Sequence, residues 1–282
     1  DKAYIDKFLS KDDTVQFLLN DKSYFRIFDL IGNQNRWSAF NIENIRGYHP
    51  AKLSIYNKLI NQIEKSGHKI WPLGILKLLN VKYIILPESN FEHPLFEKLN
   101  SKSMFYFGYS DQYDGNLIKV NIFKYNKYLP RMFFTRKLEN IRPDIINQML
   151  LSTSFHPELV SYIDNDNLEK IYSFDDDGST ININKITPNK IHFSTDTNSE
   201  QFIIFSEVFF PFGWSLSNGE KEFPIYKVND LVRGAFIPVG KNNFVMTFSP
   251  NDLFISKLLS KIIILALLVL IAASYIKRKK DA

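Results

Sequence analysis

The sequence predicts an α+β protein: a mixed α/β domain, then an antiparallel β-sandwich, then one C-terminal transmembrane helix. Three observations carry this reading. Helical and extended patterns interleave up to about residue 140, short strand-like runs with turn signals follow, and a long apolar run stands near the C-terminus. The expected boundaries are 1–140 and 141–252 for the two domains, 253–276 for the membrane helix and 277–282 for a basic tail.

Residues 1–20 read as a helix, with Tyr4, Phe8, Val15, Leu18 and Leu19 apolar among charges. "YFRIFDL" (Tyr24–Leu30) reads as a strand. A helix from Pro50 to Lys65 places Leu53, Tyr56, Leu59, Ile60 and Ile63 on one face, with Gly67 as its stop. "LGILKLLN" gives a short helix and "VKYIILP" a buried strand. In "IKVNIFKY", Ile118, Val120 and Ile122 alternate with Lys119, Asn121 and Lys124, which is a strand with one polar face. A further helix is expected around Asp144–Ser152.

The texture then changes. "STININKIT", "KIHFST", "EQFIIFSEV", "GWSLS", "KEFPIYKV", "LVRGAFIPV" and "NNFVMTFSP" are short strands split by Pro188-Asn189, Asn198, Asn218-Gly219, Asn229-Asp230 and Gly240. Asn218-Gly219 between two such runs is a hairpin signal. Many short strands with turns between them predict a sandwich of about 100 residues.

The tail, "SKLLSKIIILALLVLIAASYIKRKKDA", has no charge from Ile262 to Ile276, and extending it back to Leu253 gives the ~20 residues that a bilayer requires. Lys257 and Lys261 fall one turn apart, where their stems can reach toward headgroups. Lys277–Lys280 then place the C-terminus in the cytoplasm, and the folded part facing the periplasm or cell exterior. The chain opens at Asp1 without an initiator Met, so either a leader has been removed or the chain continues a longer one.

Composition excludes several classes. There is no cysteine, hence no disulfide, thiolate metal site or cysteine nucleophile. Net charge is +5 and much of it sits in the tail, so no basic stripe for nucleic acid crosses the body. Phosphate-cradling glycine loops and a Gly-x-Ser-x-Gly elbow are missing. His49, His68, His93, His156 and His192 lack metal-ligand spacing. "DNDN" (Asp164–Asn167) and "DDDG" (Asp175–Gly178) lack the distant Glu of a calcium loop and read as solvated turns. No metal and no cofactor is expected.

The run Phe209-Phe210-Pro211-Phe212-Gly213-Trp214 admits three readings: the inside of the sandwich, a platform for sugar stacking by Trp214 or Phe212, or a loop that dips into a membrane surface. Core packing comes first, since burying such rings contributes about 1.5–3 kcal/mol apiece. Arg233, beside Gly234, is either half of an ion pair or a clamp for phosphate or carboxylate. Tyr48 and His49 stand at a helix start and double as candidate ligand contacts.

Taken in order, several pieces resemble the C-terminal exterior region of YfhO-type bacterial membrane proteins. The matching residues are Ser206, Phe209-Phe210-Pro211, Gly213-Trp214, Asn218-Gly219, Asn229, Arg233-Gly234, Pro238, Gly240 and Pro250. "RGYHPAKLSIYNKL", "LKLLNVKYIIL", "NKYLPRMFF" and "SFHPELV" agree earlier in the chain, so that the resemblance runs from about Tyr24 to the C-terminus. Phe212 is extra, Glu207 stands for the family's Asp, and Ser217-Asn218-Gly219 stands for its Val-Asp-Gly, so no role is carried over there.

The resemblance implies a polytopic, GT-C-like glycosyltransferase parent with upstream transmembrane helices. Such a parent moves sugar from a polyprenyl-phosphate carrier to an envelope polymer or lipid. This segment would bind the acceptor or shape the site, with Trp214, Phe212, Arg233, Tyr48 and His49 as ligand candidates and the catalytic residues elsewhere. The alternative is a non-enzymatic envelope module that docks a partner protein.

Overall fold

The computed structural model describes residues 2–32, 35–47, 53–65, 72–88, 91–107, 115–175 and 178–280. The protein is mixed α+β, mostly sheet with several helices and one apolar C-terminal helix. It forms two compact units that the chain enters in turn. The first comprises Asp1–Gly178, Asn198–Phe209 and Tyr226–Val239, and the second comprises Ser179–Thr197, Phe210–Ile225 and Gly240–Ala282.

In the first unit, the expected helix over residues 1–20 is two: α1 (Lys2–Phe8) and α2 (Asp13–Asn20). Asp12 divides them. Its Oδ1 accepts the Val15 N–H at 3.0 Å as an N-cap, and its Oδ2 meets Arg36 Nη1 at 2.8 Å with both side chains buried. A capping carboxylate with extended backbone starts a new helix, which an apolar pattern alone does not reveal.

The first sheet has the order β2 (Glu43–Asn44), β1 (Arg26–Asp29), β3 (Val81–Pro87), β6 (Asn116–Tyr125) and β4 (Phe96–Lys98), with β5 (Lys102–Tyr106) also pairing with β6. β1 runs parallel to β2 and β3, and the return from β1 to β3 passes through a short 3-10 helix (Arg36–Phe40), α3 (Ser54–Lys65) and α4 (Leu73–Leu78). Leu59, Ile60 and Ile63 of α3 join Ile75, Leu76 and Leu78 of α4 in the core. The opposite face of this sheet packs Val15 and Leu18 of α2 with Trp37, Ile85, Met104 and Ile122. With both faces covered, β6 does not keep the polar face expected of it: Asn121 is buried and its Oδ1 accepts from Ser101 Oγ at 2.8 Å.

The second sheet follows the order β10 (Ile171–Ser173), β8 (Lys137–Asn140), β9 (Ser161–Ile163), β16 (Tyr226–Val228), β17 (Val232–Ile237), β13 (Gln201–Val208), β7 (Met132–Phe134). α5 (Pro143–Leu150) lies between β8 and β9 in the chain. β13 is buried from Gln201 to Ser206, which explains its unbroken apolar run. The β16–β17 turn places Asn229 and Asp230 at φ 51° and 48°, and the buried Asn229 side chain is held by the Tyr162 N–H and Ser161 Oγ.

The second unit holds the third sheet, ordered β11 (Thr180–Thr187), β12 (Lys190–Thr197), β18 (Gly240–Phe248), β14 (Trp214–Ser217), β15 (Glu222–Phe223) and antiparallel throughout. Ile191, Phe193, Phe244, Met246 and Leu216 alternate inward, and the Phe193 and Phe244 rings stack at 5.0 Å. The hairpin signal is realised between β14 and β15, where Asn218 Oδ1 accepts the N–H groups of Glu220 and Lys221. β18 leads through Ser249-Pro250 into α6 (Asn251–Lys280), whose stretch Ile255–Ala273 is long and apolar enough to cross a membrane and is not buried in the protein.

Candidate functional site

The first unit gathers its charges around β13. Five residues distant in sequence converge there: Arg26, Glu43, Arg131, Glu207 and Arg233. Arg26 Nε donates to Glu43 Oε2 at 3.0 Å, and its Nη1 donates to the carbonyls of Ser206 at 2.5 Å and Leu79 at 3.1 Å. Its Nη2 meets Glu207 Oε2 at 3.4 Å. Arg131 bridges the same two carboxylates, with Nε 2.6 Å from Glu207 Oε1 and Nη2 2.9 Å from Glu43 Oε2. Each carboxylate thus lies between two guanidinium groups. Glu43 is half exposed at 49%, whereas Arg131 is 4% exposed.

Strand irregularities flank this cluster. Between the pairs Phe205↔Arg233 and Val208↔Val232, β13 carries Ser206 and Glu207 against no residue of β17, a bulge that turns Glu207 toward the arginines. A register shift at Arg26/Ile27 leaves Lys82 of β3 as the extra residue opposite β1. The network therefore ties the first sheet to the second within this unit.

Its electrostatics set what it can do. Burial pushes the Glu43 carboxyl up, but the charges of Arg26 and Arg131 outweigh that and hold it below the ordinary carboxylate range. Burial pulls Arg131 down, yet Glu207 and Glu43 raise it above the ordinary arginine value. Arg233 is lowered by burial to about 10, with the charge of Glu207 acting the other way. Glu43, Arg131 and Arg233 all keep their charges near neutral pH, so proton exchange by these three is not part of this cluster's chemistry; holding and orienting charge is.

The aromatic run lies in the second unit, apart from Phe209, and the core reading fails for most of it. Phe212 is 68% exposed and Phe210 38%, and Trp214 is only partly buried against Phe248 at 5.0 Å between ring centroids. Phe210 contacts Phe212 edge-on at 5.9 Å. The reason is length: Pro211, Phe212 and Gly213 form a loop beyond the end of β14, with no facing strand to cover the rings. Gly213 has φ +79°, and a Cβ there would stand 2.8 Å from Pro250 Cβ; its carbonyl accepts the Ser249 N–H at 2.6 Å. The turn is thus fastened to the residues that start α6.

Of the sequence candidates, Phe212 and Trp214 share this turn, and Arg233 lies in the charged cluster of the other unit with its side chain buried. Tyr48 and His49 lie outside the described residues. Arg26, Glu43, Arg131 and Glu207 were not candidates. Arg131 was visible only as the last residue of Leu-Pro-Arg, and Glu207 only as an acid closing the apolar run of β13.

Asp164–Asn167 is a turn held by Asn140, whose Nδ2 donates to the Asn165 carbonyl at 2.7 Å. Among the described residues, no three His, Cys, Asp or Glu side chains converge as metal ligands. Compared with protein-family models, with curated proteins and with solved structures, the chain matches none.

Proposed function

We propose that this chain is a membrane-tethered module of the bacterial envelope. In this reading α6 spans the inner membrane, the folded residues before it lie on the extracytoplasmic side, and the basic end lies in the cytoplasm. The observation that carries it is Ile255–Ala273, a helical stretch whose only charges are Lys257 and Lys261 in its first two turns and which is not buried in the protein. Such a surface is stable only in lipid or against other apolar helices. Lys277–Lys280, directly after it, supply the charge asymmetry that orients it.

Within that reading, the chain serves as the exterior C-terminal segment of a polytopic YfhO-like parent that transfers sugar from a polyprenyl-phosphate carrier to an envelope polymer or lipid. The order of the quoted sequence pieces supports this. The chain's part is to bind acceptor or shape the exterior face of the site, with the partly covered Trp214 ring as a stacking surface. The β-sandwich expected over 141–252 belongs to the same proposal.

The test is calorimetric titration of the full chain in phospholipid nanodiscs with a polyprenyl-phosphate hexose and with envelope glycan fragments. Saturable binding that weakens in Trp214→Ala supports substrate handling. Absence of binding across the panel removes it and leaves a non-enzymatic module that docks a partner protein.

A further inference from the structure

We infer that the Phe210–Trp214 turn is a membrane-interface anchor, inserted among the lipid headgroups on the side of the bilayer where α6 begins. The inference rests on the reading that α6 spans a membrane, and goes beyond it by assigning a lipid-contact site to the folded part of the chain.

Depth follows from connectivity. The candidate span Ile255–Ala273 has 19 residues, about 28 Å of helix, which matches a hydrocarbon core of about 30 Å, with Lys257 and Lys261 in its first two turns extending their ammonium groups toward the headgroups. Pro250 precedes Ile255 by five residues, about 7 Å at the helical rise. The headgroup layer is about 5–7 Å thick on each side. Pro250 therefore stands at headgroup level, and the turn is fixed to it by the Ser249 N–H to Gly213 carbonyl bond of 2.6 Å and by the Trp214↔Phe248 pairing.

The side chains suit that depth. No charged residue occurs from Val208 to Ser217, and the exposed rings there are Phe210 and Phe212, with Trp214 behind them on Phe248. Aromatic rings favour this layer because an apolar body and the polar surroundings are both accommodated there. Lys190 is at the same end of the sheet, since it pairs with Thr247, and supplies a cation for lipid phosphate. The opposite end of the sheet is charged: Glu220, Lys221 and Glu222 follow the far end of β14, and Lys241 and Asp196 meet at 3.6 Å. One end of this sheet is thus built for lipid and the other for water.

The chain has no cysteine, so single labels can be placed at will. Phe212→Cys, Glu220→Cys and Leu267→Cys, each carrying a nitroxide, are compared in the full chain in vesicles of phosphatidylethanolamine and phosphatidylglycerol. Collision with dissolved oxygen is measured against collision with a water-soluble nickel chelate. The expected result is oxygen-dominated relaxation at 267 and 212 and chelate-dominated relaxation at 220. If 212 behaves like 220 while 267 is in lipid, the anchor is overturned and the tether stands. Shielding of 212 from both agents also overturns it, because protein then covers the turn. If 267 itself meets the chelate, the spanning helix fails and the anchor with it.

Discussion

The two units invert the usual placement of side chains. The first buries a cluster of charges, Arg131 and Arg233 among them, while the second leaves Phe210 and Phe212 on its surface. Charged side chains are almost never fully buried unless paired, and large exposed apolar groups close together mark a contact surface. The difference shows that partners rather than residue type decide burial: Arg131 meets the carboxylates of Glu43 and Glu207, whereas the exposed Phe210 and Phe212 meet edge-on at 5.9 Å.

The sharpest way to break the comparison is to remove a partner from the buried cluster. Glu207→Ala leaves the buried Arg131 and the partly buried Arg26 without one of their two carboxylates, and a cost of about 3–5 kcal/mol is expected. Thermal melting of the full chain in detergent, with Glu207→Gln alongside, reads this; a shift no larger than that of a surface substitution would make the network dispensable.

Gly213→Ala tests whether the exposed turn is nonetheless built. The left-handed backbone and the approach to Pro250 predict about 1–3 kcal/mol, confined to the second unit. Hydrogen exchange should show faster amides around Ser215–Ser217 and Thr247–Phe248, and unchanged exchange in β13.

A smaller effect is expected from acid. Burial pushes the Asp21 carboxyl up, but hydrogen bonds from Lys82, Ser23 and Tyr83 prevail and lower it from 3.8 to about 2. A depressed carboxylate contributes stability that is whole above about pH 4 and is lost as pH falls through about 2. Asp21→Asn should flatten that part of the stability profile, measured by denaturant melts in steps from pH 5 to pH 2.

The smallest effect is expected for Phe212→Ser. In detergent it should change stability by no more than about 0.5 kcal/mol, because the ring is not in the core. A loss of 2 kcal/mol would restore the core reading and erase the contrast between the units.

Much of the fold was legible locally. The β3 strand, α4, the helix at Pro143–Leu150 and the Asn218-Gly219 hairpin fall where apolar period, length and turn residues put them. The division of the first helix at Asp12 was not, since the capping carboxylate is held in place by Arg36 and the Phe105 N–H, far along the chain. The charged cluster was not legible either. Arg26 and Glu207 meet across 181 positions, and Glu207 is aimed by a bulge, which leaves no periodic trace. Periodicity reports which face a residue occupies on a regular strand, and a bulge changes the face.

By itself, the sequence determined the apolar helix, because the uncharged run from Ile262 to Ile276 needs no knowledge of its neighbours to disfavour water. It also determined the short strands of the third sheet, whose inward alternation is a property of each strand alone. Only the tertiary structure decided the fate of the aromatic run and of the charges. A ring is core only if another element arrives to cover it, and a guanidinium can be buried only if a carboxylate or carbonyl arrives to meet it. Both arrivals depend on chain segments up to 181 residues away.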